Sequence, residues 1–280
     1  MLKHRIITAL VLLAVVIPSL VSSRGWPFVA LVAVLVATAA WEWGRLNGLA
    51  TASSFLLALP VVLMGALQAA DLLPRSLEFV LFIAASVAWV FGSIWVLRQG
   101  VTGWRDAPRW ARLLLGVLIL AVSAMALLRA REVGLGFVLS IFCLVWVADV
   151  AAYAAGRAFG RRKLAPTISP GKTWAGVMGG VLAVGVLAWA WTAAQFTYGG
   201  LGLSIFSVLH ERFGLLSPAL LVGLVAMSVV GDLFESLVKR AAGVKDSSGL
   251  LPGHGGVLDR IDALLPVFPL AMAMAMLSTR

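Results

Sequence analysis

The stretch "LGFVLSIFCLVWVADVAAYAAG", Leu135 to Gly156, decides the fold, because it is an apolar run with a single charged residue, Asp149. A helix that crosses a bilayer needs about 20 largely apolar residues. The run lacks the period-two alternation of a barrel strand. Comparable segments recur at about 7–23, 27–44, 54–71, 78–97, 113–128, 174–194, 216–236 and 263–278, and the run itself spans 135–156. Only helices and closed barrels satisfy their backbone groups in lipid. The pattern therefore predicts an all-α polytopic integral membrane protein with about nine transmembrane helices.

Composition supports this reading. The 280-residue chain is 61% hydrophobic and 12% charged, with a mean hydropathy of +1.02. An ordinary soluble domain is about 45–50% apolar and about 25% charged. Nine spans consume the length, so no separate soluble domain fits. The lone Cys143, inside an apolar run, excludes a disulfide framework. The opening "MLKHRIITALVLLAVVIPSLVSS" has the basic start and apolar centre of a signal peptide. Further spans follow at once, so it reads as an uncleaved first helix.

The net charge of +10 follows the positive-inside bias rather than marking a nucleic-acid binder. With the N-terminus in the cytosol, alternate loops collect Lys3, Arg5, Arg45, Arg98, Arg105, Arg109, Arg112, Arg157, Arg161, Arg162, Lys163, Lys172, Lys239, Arg240, Lys245 and Arg260 on the cytosolic side. The opposite side keeps Arg24, Arg75, Arg129, Arg131, Arg212 and Arg280. The expectation is a multi-pass protein of the cell membrane. Two cytosolic connections, 157–173 and 237–262, are longer and richer in polar chemistry than a helix hairpin needs.

The first begins inside the quoted helix. A carboxylate such as Asp149 costs a few kcal/mol in an apolar span and marks a site or a partner. Tyr153 and Arg157 follow at i+4 and i+8, on the same helical face. Gly156 and Gly160 permit close approach of another helix or a ligand. Arg161, Arg162 and Lys163 come next, then Ser169-Pro170-Gly171-Lys172-Thr173 leading into the following helix. Hydroxyls, a lysine and free N–H groups at a helix start suit an anion. Read plainly, the same residues are a topology signal and a turn.

The second connection reads "GDLFESLVKRAAGVKDSSGLLPGHGGVLDRIDALLP", Gly231 to Pro266. Asp232, Ser236 and Lys239 fall on one helical face. Pro252, Gly253, Gly255 and Gly256 make a tight turn around His254, and Asp259 and Asp262 lie at i and i+3 on the final helix. Carboxylates on two helix ends facing one pocket suit Mg²⁺, which takes oxygen ligands and is completed by substrate phosphates. Lys239, Arg240, Lys245 and Arg260 offset phosphate charge. Together they describe a phosphoryl- or nucleotidyl-transfer site. The spacing places His254 without deciding whether it caps the turn, binds phosphate or moves a proton.

These residues resemble the phosphatidate cytidylyltransferase (CDP-diacylglycerol synthase) family. The family signature stands complete in Ser236, Lys239-Arg240, Lys245-Asp246, His254-Gly255-Gly256, Asp259-Arg260 and Asp262. Asp149, Tyr153, Gly156, Arg157, Gly160, Lys163 and the Ser169-Pro170-x-Lys172-Thr173 run are also similar to members. The resemblance covers mainly 145–266; before that, only the hydrophobicity and Glu42 in "WEW" agree. Ala175 stands where members commonly carry Glu, and Val150 where a small hydroxyl residue is frequent.

The resemblance implies that CTP and phosphatidic acid give CDP-diacylglycerol and pyrophosphate at the cytosolic face. Mg²⁺ is held by Asp232 and Asp259, with room for a second cation, and the assembly is a homodimer in the lipid bilayer. Arg240, Asp246, His254, Asp262 and Lys239 join the catalytic set. Ser236, Lys245, Arg260, Asp149, Tyr153, Arg157, Ser169, Lys172 and Thr173 are expected to bind substrate. Residues 1–134 are then a scaffold carrying dimer contacts, and 135–280 the catalytic region. Two alternatives stand beside it: an ion-coupled transporter using Asp149 and Asp232, and another metal-dependent lipid-phosphate transferase.

Overall fold

The computed structural model describes residues 2–198 and 202–277, with side chains from Ile6 onward except that of Tyr198. The side chains of Lys3 and Arg5, and Arg280 altogether, lie outside the described residues. All nine apolar segments fall on helices. The first is α1 (Leu2–Val21), then α2 (Trp26–Leu46). A short α3 (Thr51–Ser54) runs through a tighter turn into α4 (Ala58–Ala69). Next come α5 (Arg75–Asp106), α6 (Arg109–Val133) and α7 (Leu135–Phe159). A two-stranded hairpin, β1 (Lys163–Ala165) and β2 (Ser169–Thr173), leads to α8 (Trp174–Tyr198). The chain ends with α9 (Ile205–Phe213), α10 (Ser217–Ala241), the single-turn α11 (Leu258–Ile261) and α12 (Leu264–Leu277).

Among the described residues, seven helical stretches are long and apolar enough to cross a membrane, while Ile6–Val21 of α1 and Leu264–Leu277 of α12 are shorter. The fold is thus all-helical apart from the hairpin. Large apolar side chains such as Leu10, Phe91, Leu182 and Trp189 face outward, as lipid contact requires. The connection after α8 is no plain loop: Ile205 to Leu209 of α9 are buried against the bundle.

Two features set the frame for the site. Helices α7 and α8 lie side by side through small residues: a Cβ at Gly176 would sit 2.7 Å from the Ala152 carbonyl oxygen, and one at Gly179 2.4 Å from the Ala155 methyl. Such contacts let helix backbones approach closely where lipid offers no hydrophobic drive. Beside them, Phe234 of α10 meets the rings of Trp43, Trp89 and Trp104 at centroid distances of 5.9, 5.3 and 5.4 Å. Stacked and edge-on aromatic pairs are worth about 0.5–1.5 kcal/mol each beyond burial. The indole of Trp43 donates to the Arg112 carbonyl at 2.9 Å, and that of Trp104 to Asn47 Oδ1 at 3.2 Å.

The loops alternate between two ends of the bundle. At one end Arg105 donates to the carbonyl of Ala241 (2.8 Å) and Arg109 to that of Gly48 (2.9 Å). At the other, Arg131 donates to the Leu20 carbonyl (2.7 Å), and buried Arg129 pairs with Glu78 and Glu132.

Candidate active site

A two-stranded hairpin between α7 and α8 carries the run that read either as an anion site at a helix start or as a plain turn at Ser169-Pro170. Lys163 registers with Thr173 and Ala165 with Ser169, and Pro166-Thr167-Ile168 make the turn. Thr173 then caps α8: its hydroxyl accepts the Gly176 N–H at 3.1 Å. It is buried against Gly156 and Gly160, where a Cβ would lie 3.0 and 2.8 Å from its hydroxyl oxygen. With Thr173 so fixed, Lys172 reaches α10. Its ammonium lies 2.7 Å from Asp232 and 3.5 Å from the Val229 carbonyl. Asp149 lies within electrostatic range of both Asp232 and Lys172. Arg157 donates to the Tyr153 hydroxyl at 3.2 Å on an exposed face of α7, and Ser169 is half-buried on β2.

On α10, Ser236 donates to Asp232 at 3.2 Å, the i+4 contact the spacing required. Lys239 sits between two carboxylates, pairing with Glu235 on its own helix and with Asp259 from α11. Arg240 is mostly exposed and bonds the Val244 carbonyl at 3.3 Å.

The segment after α10 folds around Asp259. Leu251 and Gly255 bridge, and the positive φ of Gly253 (76°) and Gly255 (83°) closes the turn that carries His254. The Arg260 guanidinium donates to the His254 carbonyl at 2.9 Å. His254 Nδ1 is buried with no hydrogen-bond partner among the described residues. Lys245 and Asp246 are exposed beside the turn. Asp259 accepts the Ser247 and Gly256 N–H groups and the Ser247 hydroxyl, each at 2.8 Å. Burial alone would raise this carboxyl; the Lys239 ammonium and the two N–H groups outweigh it and hold Asp259 down at about 2.

The final helix differs from expectation, because it is broken. Asp259 belongs to α11, while Asp262 sits at the junction and accepts the Ala263 N–H at 2.8 Å. Burial, then the negative charge of Asp232, pushes Asp262 up to about 8.

Two carboxylates outside the expected set are central. Glu235 is 1% exposed and lies in electrostatic range of Asp262 and Asp259. Its i+4 spacing to Lys239 was a signal for a pair, though not for burial. Glu42 of α2 is fully buried. It accepts the N–H groups of Val257 (3.0 Å) and Leu258 (2.7 Å) and the hydroxyls of Ser247 (3.1 Å) and Ser248. Only the resemblance of "WEW" pointed to it in the sequence.

The structure therefore brings Asp149, Lys172, Asp232, Ser236, Glu235, Lys239, Asp259 and Asp262 into one interconnected group. Tyr153, Arg157, Arg240, Lys245, Asp246 and Arg260 stand at its periphery. Five carboxylates share two ammonium groups, Lys172 and Lys239. This excess of hard oxygen donors fits Mg²⁺, which binds through one or two carboxylates plus substrate phosphates. Among the described residues, no three or more ligating side chains close a cage by themselves.

Comparison with known proteins gives a consistent answer. Residues 3–278 match the cytidylyltransferase family. A phosphatidate cytidylyltransferase of Pseudomonas aeruginosa is 42% identical over 280 residues, covering 98% of this chain and 97% of the relative. One from Haemophilus influenzae is 35% identical, covering 96% of each. One from Brucella suis is 42% identical over 166 residues, 59% of this chain and 56% of the relative.

Proposed function

The chain belongs to the phosphatidate cytidylyltransferase (CDP-diacylglycerol synthase) family, and from that premise we propose that it joins CTP and phosphatidic acid into CDP-diacylglycerol, releasing pyrophosphate at the cytosolic face of the cell membrane. It is a nucleotidyltransferase of phospholipid biosynthesis. The observation that carries the mechanism is the interleaving of lysines and carboxylates: Lys172 on Asp232, and Lys239 on Asp259.

A phosphate oxygen of phosphatidate attacks the α-phosphorus of CTP. The bond from that phosphorus to the bridging oxygen breaks, and pyrophosphate leaves with the electron pair. The nucleophile is already anionic, so no strong base is needed. The barrier is the meeting of two polyanions. Lys172 and Lys239 share their protons between carboxylate and incoming phosphate oxygens, which are charge-assisted bonds. Arg240, Lys245 and Arg260 draw the nucleotide to the same end of the bundle. Ser236, Ser169, Tyr153 and Arg157 line the approach of the lipid headgroup; Thr173, whose hydroxyl caps α8, fixes Lys172 beside them, and His254 holds the turn beside Asp259 through its carbonyl bond to Arg260. Asp232 and Asp259 would hold Mg²⁺, with Asp262 and Asp246 in support. When bound, the ion neutralises charge on the polyphosphate. Residues 135–280 carry this chemistry, and residues 1–134 brace it and supply the surface of a homodimer.

The test is purified protein in detergent with CTP, phosphatidate and Mg²⁺, following CDP-diacylglycerol. Product forms with wild type, chelator abolishes it, and Asp259→Asn lowers the rate at least about 100-fold, the scale of losing one electrostatic group at a reacting centre. Absence of product from wild type, or an undiminished rate in Asp259→Asn, overturns the assignment.

A further inference from the structure

We propose that Glu42, from the second helix of the chain, is a positioning residue for nucleotidyl transfer: it holds the 247–258 segment in the shape that presents Asp259. The inference rests on the function proposed above. A fully buried carboxylate in an apolar bundle is costly unless its oxygens are bonded. Those of Glu42 are bonded, and among the described residues the donors come from the segment Ser247 to Leu258 rather than from its own helix.

The contacts reach Asp259 by two routes. Through the backbone, Glu42 fixes the N–H groups of Val257 and Leu258, so it sets the first turn of α11 immediately before Asp259. Through a side chain, the Ser247 hydroxyl lies 3.1 Å from Glu42 Oε2 and 2.8 Å from Asp259 Oδ2. It has one proton for two acceptors, so the two carboxylates compete for it and are coupled through it. Gly256 passes between them: a Cβ there would lie 2.1 Å from Ser247 Oγ and 2.3 Å from Glu42 Oε1. One loop is thus gripped on both sides by carboxylates, of which Asp259 belongs to the proposed metal and phosphate site and Glu42 does not.

Glu42→Gln keeps the shape and loses the charge. It is expected to lower kcat/KM for CTP at least tenfold at saturating phosphatidate, and Glu42→Asp to recover part of the loss. Ser247→Ala, which removes no charge, is expected to cost several-fold on its own. The double variant Glu42→Gln/Ser247→Ala is expected to lose less than the product of the two single losses, because both act through Asp259. Amide hydrogen exchange in 246–258 should accelerate in Glu42→Gln while α7 and α8 keep their protection. Unchanged kinetics in Ser247→Ala, additive losses, or unaccelerated exchange in 246–258 each overturn the proposal. Should wild type form no product, the functional reading fails instead, and the exchange experiment still decides whether Glu42 holds the loop.

Discussion

Lys172 shows how a single side chain gathers a site. Its ammonium is the positive charge nearest Asp232 and lies in range of Asp149 and Asp262. Lys172→Met leaves these carboxylates to repel one another and removes a donor to phosphate. The rate of CDP-diacylglycerol formation is expected to fall at least about 100-fold. Lys172→Arg should restore it only in part, because a planar fork does not replace a compact ammonium. Most of the ionisable group was legible in the sequence: Asp149 stands out in an apolar run, and Asp232, Ser236 and Lys239 share a face by spacing alone. Glu42 and Glu235 were harder to assign. The donors to Glu42 lie 205 to 216 residues further along the chain. No local period reports such a contact. For Glu235, spacing gives the lysine but not the carboxylates of α11 and the junction beyond it.

At the scale of elements, the apolar runs gave the helices, because a span's length and hydropathy are local properties. The irregular pieces were less legible. The hairpin before α8 depends on Thr173 docking against Gly156 and Gly160 of α7, a tertiary contact that overrides the look of a turn. The break between α11 and α12 likewise follows from Asp262 accepting the next N–H and from its carbonyl lying tight against Gly231. Helix α5 also leaves its path at Gly100 (φ 67°), a backbone position that other residues adopt with strain. The α7–α8 seam makes a prediction of its own. Gly176→Leu would drive a side chain into the Ala152 carbonyl and the Thr173 cap. Overpacking of this kind costs about 1–3 kcal/mol. The midpoint of thermal unfolding in detergent should fall, and activity with it, since Lys172 hangs from the displaced hairpin.

Taken whole, the molecule has a chemically busy end and a quiet one. The quiet end is held by Arg129, which pairs with Glu78 and Glu132, with Asp71 and Arg75 at the rim. Removing one partner of a buried pair strands the other, at a cost of about 3–5 kcal/mol. Arg129→Met should therefore lower the unfolding midpoint in detergent while leaving KM for CTP unchanged in the folded fraction. The sequence foretold this division through the uneven distribution of its basic loops, since charge sidedness is written in composition. It did not foretell that α2 would reach across to the far end of the chain. That reach has a consequence for biogenesis. Glu42 is synthesised about 215 residues before Val257 and Leu258, the backbone groups that will satisfy it. At roughly 5–20 residues per second, the carboxylate waits on the order of ten to forty seconds for its partners. The catalytic loop is thus delivered late, ahead of α12, and until it arrives the buried carboxylate of α2 lacks the partners that settle it.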